Sequence, residues 1–178
     1  EPRISSKAML RPGMGFSGGT LARDVQTLRE LGDNYNVDTN LLDGLWKTNI
    51  FQNQFVVRKL NKIFPNLKNR TITILGITYK PQTSTLRRSV ALETIKELQI
   101  QGAKIRAHDP KADDNELAQF SGFDFFRNID DALYKTEAIA IMTGWEDYKS
   151  INWELFKNKV SNKIIIDCNN MFDDKELI

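Results

Sequence analysis

The sequence is short of the residues that build cross-links and the commonest reactive centres. It has one cysteine, Cys168, so no intrachain disulfide is possible, and this usage fits a reducing cytoplasm. Its one histidine, His108, stands at the end of a strand-like run and reads as structural. Neither sign of charge is in excess: 25 basic against 23 acidic residues leave +2. That balance gives no electrostatic reason to expect a nucleic-acid or membrane partner. No apolar run approaches the roughly 18 residues of a membrane span, and no signal-peptide pattern is visible. The chain starts Glu1-Pro2-Arg3 without a methionine and reads as a piece of a longer protein.

What is present is the composition of a globular domain, and 178 residues suffice for one domain with a sizeable core plus an accessory segment. Residues 1–19 are irregular and glycine-rich. From Thr20 the apolar residues Leu21, Val25, Leu28 and Leu31 recur at helical steps, with Gly32 read as the stop. A second helical pattern covers 39–64 and is ended by Pro65. About 25 helical residues span roughly 37 Å, and the apolar positions (Leu41, Leu45, Trp46, Phe51, Val56, Leu60) cover more than one face. Such a helix asks for a partner on two sides. A homodimer interface is one reading and a single long core helix the other.

After a polar linker at 65–70 the signal alternates. TITILGITY (71–79), AKIRAHD (103–109), AIAIMT (138–143) and KIIIDCN (163–169) read as buried strands. An amphipathic helix capped by Ser89 runs to Ile100, and shorter helices are expected at 114–120, 129–135 and 153–158. Strand–helix alternation predicts an α/β fold with a mainly parallel, Rossmann-like sheet. The expected organisation is a helical segment over 1–66 carrying an active-site loop, then a Rossmann-like domain over 71–178.

Gly13-Met14-Gly15-Phe16-Ser17-Gly18 spells G-x-G-x-x-G. In a dinucleotide fold the first glycine ends a strand and an acidic residue closes the next strand about 20 residues on. Here Ser5 to Pro12 does not read as a strand, and two helices follow, so the spacing is taken as coincidental. Four glycines in the seven residues 13–19 still allow backbone N–H groups to approach a ligand closely. A glycine-rich turn without a ligand is the plain alternative.

The stretch RPGMGFSGGTLARD (11–24) resembles the G-x-G-F-G-G-S-C-F-x-K-D segment of the UDP-glucose/GDP-mannose dehydrogenases. ILGITYKPQTSTLRRS (74–89) resembles that family's G-x-x-[FY]-K-x-x-T-x-D-x-R-E-S, followed by a helix, a glycine and a strand ending Asp109-Pro110. IAIMTGWEDY (139–148) and IIIDCNNMFD (164–173) resemble its T-x-W-x-x-[FY] and D-G-R-N-x-x-D segments. The likeness covers the family's carboxy-terminal half, without the amino-terminal NAD domain. It implies oxidation of the C6 hydroxymethyl of a nucleotide sugar with NAD as cofactor. By this resemblance Gly13, Met14, Gly15, Phe16 and Ser17 lie against the sugar, Tyr79 and Lys80 hold the nucleotide-sugar, and Thr20, Arg23 and Arg87 face NAD. Arg3 corresponds to an arginine that reaches a neighbouring subunit's sugar, and Asp24 to a residue positioning the hydrolytic water. No metal is implied.

Three departures stand out. The family's nucleophilic cysteine falls on Thr20, whose hydroxyl is not ionised near neutrality and needs an adjacent base. The lysine of x-K-D is Arg23, which stays protonated and cannot shuttle a proton. The arginine of D-G-R-N is Asn169, which keeps the position facing the nucleotide but not its charge, while Arg88 adds a cation nearby. Cys168 reads as a small buried residue, and Trp145 and Tyr148 as packing. Two functions remain: an NAD-dependent nucleotide-sugar dehydrogenase with altered chemistry, or a non-catalytic sugar-nucleotide-binding or subunit-pairing homologue. Without a cofactor domain the fragment alone is expected to be inactive.

Overall fold

The computed structural model describes residues 13–17, 19–156 and 160–172. Three helices come first: α1 (Leu21–Tyr35), α2 (Asn40–Asn53) and α3 (Phe55–Ile63). There follow β1 (Thr71–Leu75), α4 (Val90–Ile100), β2 (Lys104–His108), α5 (Asp114–Leu117), β3 (Asp124–Phe126), α6 (Ile129–Leu133) and β4 (Ala138–Ile141). A 3-10 turn (Glu146–Ser150), α7 (Trp153–Phe156) and β5 (Ile165–Asp167) complete the described chain.

The strands form one parallel sheet in the order β3-β2-β1-β4-β5, the α/β Rossmann-like arrangement expected from the alternation. The chain runs outward from β1 through β2 to β3, then returns to the other side of β1 as β4. In such sheets the reversal opens a crevice beyond the carboxyl ends of the two central strands. The register sets Leu75, His108, Ile141 and Asp167 level with one another along that edge.

Alternation along the strands supplies two cores. On one side Ile72 and Ile74 join Val56 and Leu60 of α3 and Ile95 and Leu98 of α4. On the other, Leu75, Ile139 and Ile141 pack with Leu133, Trp145 and Tyr148. Thr73 is fully buried yet satisfied, its hydroxyl donating to the Ala132 carbonyl at 2.8 Å.

Several element boundaries differ from the sequence expectation. The helical stretch at 39–64 is present as α2 and α3, meeting at Gln54, whose ψ of 8° leaves the helical range. The two halves answer to different surroundings: α3 buries Val56, Val57 and Leu60, whereas α2 buries only Asn49. Helix α1 passes through Gly32 and ends at Asn36, which supplies the left-handed conformation with φ 53°. Gly32 has another reason to lack a side chain, since a Cβ there would collide with Thr39 and lie 2.8 Å from the Val37 carbonyl oxygen. Strand β3 has no clear alternation of its own and is added at the sheet edge beside β2.

The start of α4 is as expected, with Ser89 accepting from the Ala91 N–H at 3.2 Å. Of the four apolar positions that mark α1, only Val25 is buried; Leu21, Leu28 and Leu31 remain exposed, as do Leu41, Leu45 and Phe51 of α2. Among the described residues no helix is long and apolar enough to cross a membrane.

Candidate functional site

The turn after β1 begins at Gly76, with φ +83°, where a Cβ would sit 2.7 Å from the Thr143 backbone nitrogen. Only glycine allows the loops following β1 and β4 to approach this closely. Asp109, fully buried just after β2, holds the next residues: its Oδ2 accepts from the Ile77 and Thr78 N–H groups at 2.8 and 2.9 Å. The same oxygen accepts from the Thr78 hydroxyl at 2.9 Å and the Trp145 indole N–H at 3.2 Å. The Thr143 hydroxyl donates to the Thr78 carbonyl at 2.6 Å. Tyr79 and Lys80 therefore leave the sheet from a braced stem. The Tyr79 N–H donates to the Thr85 carbonyl, and Lys80 Nζ lies 5.4 Å from the Tyr79 ring centroid.

The glycine loop forms the facing wall and is fastened to α2. The Gln52 side-chain amide donates to the Gly13 carbonyl at 2.8 Å, and that of Asn49 to the Phe16 carbonyl at 3.1 Å. A Cβ on Gly15 would meet Asn49 Oδ1 at 2.5 Å and the Asn49 carbonyl oxygen at 2.9 Å. Gly15 is thus required by the closeness of loop and helix, independently of any ligand. The Asn53 carboxamide oxygen is buried against Gly15 without a hydrogen-bond partner among the described residues.

Between these walls lies a cleft of about 320 Å³, bordered by Gly13, Met14, Gly15 and Ser17, by Thr78 to Pro81, by Ser89 to Ala91, by Met142 to Gly144 and by Asn169. It sits at the carboxyl ends of β1, β4 and β5, where the strand order reverses. The Lys80 ammonium and the amino-terminal end of α4, with its outward N–H groups and positive dipole end, suit phosphate oxygens. A second cavity of about 340 Å³ shares Ser17 with the first. Phe16, Arg23, Trp46, Asn49, Asn53 and Arg88 are among its lining residues, and the Phe16 and Trp46 rings are 6.2 Å apart.

The expected site residues divide between these places. Gly13, Met14, Gly15, Ser17, Tyr79, Lys80 and Asn169 meet in the cleft, although they come from opposite ends of the chain. The Asn169 side-chain amide is spent on the Ile141 carbonyl at 3.1 Å. Phe16 and Arg23 line the second cavity. Thr20, Asp24 and Arg87 line neither. Thr20 is exposed and does not cap α1 with its hydroxyl. Asp24 Oδ1 accepts from Arg23 Nε and Nη2 at 3.1 and 3.0 Å. Arg87 is exposed beside Glu116, at 3.6 Å. Arg3 lies outside the described residues.

Cys168 is buried at the end of β5, and burial together with the neighbouring Asp167 pushes its thiol up to about 12. His108 is buried with its Nδ1 3.2 Å from the Tyr148 hydroxyl, and burial holds it below the usual imidazole value. Neither lines the two cavities around the glycine loop. Sequence reasoning missed Asn49, Gln52 and Asn53. Their signal was present as amides at i, i+3 and i+4, which share one face of a helix.

Of Thr20, Arg23 and Arg87, only Arg23 lines either of the two cavities around the glycine loop. The first strand-to-helix turn of the sheet reads Gly76-Ile77-Thr78-Tyr79-Lys80, with its one glycine packed on Thr143. The three-glycine cradle that lets a pyrophosphate approach is missing there. After the loop at Gly13–Ser17, three helices follow, and among the described residues no strand begins before Thr71.

A model of the UDP-binding domain of the UDP-glucose/GDP-mannose dehydrogenase family matches residues 73–174. UDP-glucose 6-dehydrogenase TuaD of Bacillus subtilis is 30% identical over 99% of this chain, which covers 38% of that protein. UDP-glucose 6-dehydrogenase of Rickettsia prowazekii is 31% identical over 93% of the chain and 39% of its own length. The fold is shared with a UDP-glucose dehydrogenase from the archaeon Pyrobaculum islandicum at a TM-score of 0.81, with 22% identity, over 92% of this chain and 37% of that one. It is shared also with a GDP-mannose dehydrogenase from Pseudomonas aeruginosa, TM-score 0.72 and 22% identity, over 94% of this chain and 39% of the other. The chain therefore spans about two fifths of the length of these relatives. The matched residues carry all of the sheet but the first two residues of β1 and four of the five stretches bordering the cleft, and on that ground the chain belongs to the UDP-glucose/GDP-mannose dehydrogenase family, in the region of its UDP-binding domain.

Proposed function

We propose that the chain is the nucleotide-sugar-holding carboxy-terminal part of an NAD-dependent dehydrogenase that oxidises the C6 alcohol of a nucleotide-bound hexose. The observation that carries this reading is the cleft: the glycine loop, the Tyr79-Lys80 turn, the α4 amino terminus and Asn169 converge at the strand-order reversal. The diphosphate lies toward Lys80 and α4, and the sugar toward Gly13–Ser17. The turn after β1 has a single glycine where a dinucleotide cradle has three, which supports NAD being held mainly by another part of the enzyme, with Thr20, Arg23 and Arg87 facing it. When bound, NAD accepts the hydride; the residues of this chain hold and orient the sugar nucleotide.

Thr20 stands where the family's nucleophilic cysteine is expected from the motif, and this observation favours the second reading, a sugar-nucleotide-binding homologue without turnover. His108 is the only histidine of the sequence and is buried beside Tyr148, and the Asp24 carboxylate is engaged by Arg23, so neither serves Thr20 as a base. The exposed apolar side chains Leu41, Leu45 and Phe51 of α2 support a further proposal, that the helical segment pairs two copies of the protein.

The test is NADH formed per nucleotide sugar consumed by the full-length gene product, across UDP- and GDP-hexoses. Two NADH per sugar support oxidation to the acid without the cysteine, and one supports release at the aldehyde. None, with UDP-sugar binding that Lys80→Gln weakens about tenfold, retires the enzyme and leaves the binding protein.

A further inference from the structure

The second cavity is not explained by the diphosphate end of a nucleotide sugar. Arg23 and Arg88 border it against one carboxylate, Glu93, yet both cations are already in use. Arg23 gives its Nε and Nη2 to Asp24 at 3.1 and 3.0 Å, and Arg88 has a partner of its own. What is left unspent is on the acceptor side. Glu93 stands in the first turn of α4, and its carboxylate has no hydrogen bond or ion pair among the described residues. Although the residue reaches solvent, burial raises its carboxyl above the usual glutamate value, and no donor or cation pulls it back down. Asn53 borders the same space with a carboxamide oxygen that is buried and has no donor among the described residues.

The apolar part of the lining complements these acceptors. Phe16 and Trp46 are both half-buried, with ring centroids 6.2 Å apart and planes inclined at 49°, so aromatic surface and a carboxylate border one space. A pyranose matches that combination: its C–H groups present apolar surface to a ring, and its hydroxyls donate to a carboxylate in charge-assisted hydrogen bonds. A cation would also suit a carboxylate beside aromatic rings, but two guanidiniums in the same lining oppose it. Neutral hydroxyl donors meet no such opposition. Because Ser17 borders both the cleft and this cavity, a ligand with its phosphates at Lys80 reaches the second cavity by way of Ser17.

We infer that the second cavity reads the hydroxyls of the hexose, with Glu93 as the specificity-determining acceptor and Phe16 and Trp46 as the platform for the C–H side of the ring. Glu93 is the one carboxylate among the lining residues, so no neighbour of the same chemistry replaces it when it is removed. The inference rests on the nucleotide-sugar reading of the cleft and is independent of whether the parent protein turns over.

Calorimetric titration of the 178-residue chain with UDP-glucose and GDP-mannose, and with the β-methyl esters of UDP and GDP, tests it. The methyl esters carry the charge of the sugar nucleotides but no ring, so the comparison isolates the sugar. In whichever base series binds, the sugar nucleotide is expected to bind about tenfold tighter than its methyl ester, the scale of one charge-assisted hydrogen bond. Glu93→Ala is expected to erase that gap while leaving affinity for the methyl ester unchanged. Glu93→Gln, which keeps an acceptor oxygen without the charge, should retain part of it, and Trp46→Ala should narrow it. A sugar nucleotide that binds no tighter than its methyl ester overturns the inference and leaves the cleft reading intact. A gap that survives Glu93→Ala shows that the hydroxyls are read elsewhere and overturns the role given to this cavity. Folded protein that binds none of the four ligands overturns both readings.

Discussion

The glycines of the loop are expected to behave differently from one another, although the motif treats them alike. In Gly15→Ala the new methyl would overlap Asn49 Oδ1 at 2.5 Å and the Asn49 backbone oxygen at 2.9 Å, with Asn53 Oδ1 closer still. The side-chain amides can rotate away only by giving up the bond from Asn49 to the Phe16 carbonyl, and the backbone oxygen is fixed within α2. Overpacking of this kind costs about 1–3 kcal/mol. A gain of about 0.4–1 kcal/mol from the stiffer unfolded chain offsets part of it. The net loss of about 1–2 kcal/mol corresponds to a fall in Tm of about 2–8 °C for a chain of this size. At Gly13 the added methyl meets only the Cys168 carbonyl oxygen, at an ordinary 3.5 Å. Gly13→Ala should therefore hold its stability within about 0.5 kcal/mol while narrowing the cleft that Gly13 borders. Thermal unfolding followed by circular dichroism, with UDP titration on each variant, separates the two effects. Asn49→Ala in the Gly15→Ala background should recover only part of the loss, because the helix carbonyl remains. A Gly15→Ala protein as stable as the parent, with unaltered UDP affinity, would refute the idea that α2 braces the loop.

Asp109→Ala removes the acceptor of four donors around the Ile77–Thr78 stem and is expected to cost about 3–5 kcal/mol in denaturant unfolding, with UDP binding lost as Tyr79 and Lys80 are released. Asp109→Asn, which keeps one acceptor oxygen, should cost less; equal effects would indicate that the packing, not the acceptor, matters. Cys168, buried with its thiol pushed up to about 12, should not react with a disulfide reagent at about pH 8 until the protein is unfolded, and rapid native-state reaction would contradict the buried end of β5. His108 is held below the ordinary value of 6.5, so the unfolded chain takes up its proton first as pH falls. Its contribution to stability is full above about pH 6.5 and is lost as pH drops toward the folded value. His108→Gln should flatten that part of the pH–stability curve, and an unchanged slope would assign it to other groups.

Much of the sheet could be read from the chain because its causes are local. The runs at 71–79, 103–109, 138–143 and 163–169 each contain one parallel strand, Ser89 caps α4, and α3 stops just before Pro65. Side-chain periodicity, a cap two residues from its donor and a proline act between near neighbours, so they survive in a string of letters. The family motifs likewise brought Gly13, Tyr79, Lys80 and Asn169 into one expected site, and the cleft contains all of them.

Only the tertiary structure decided the rest, because it depends on groups distant in the chain. The helical run at 39–64 divides at Gln54, since α3 has the sheet to bury itself against and α2 instead holds the glycine loop. The bonds from Asn49 to Phe16 and from Gln52 to Gly13 join residues 33 and 39 positions apart, and no period in the sequence records them. Gly15 is a glycine because of that contact as much as for any ligand. Arg23 and Arg88 border one cavity while Thr20 and Arg87, their motif neighbours, do not. A side chain's identity fixes its chemistry, but the folded path of the backbone determines which other side chains share its surroundings.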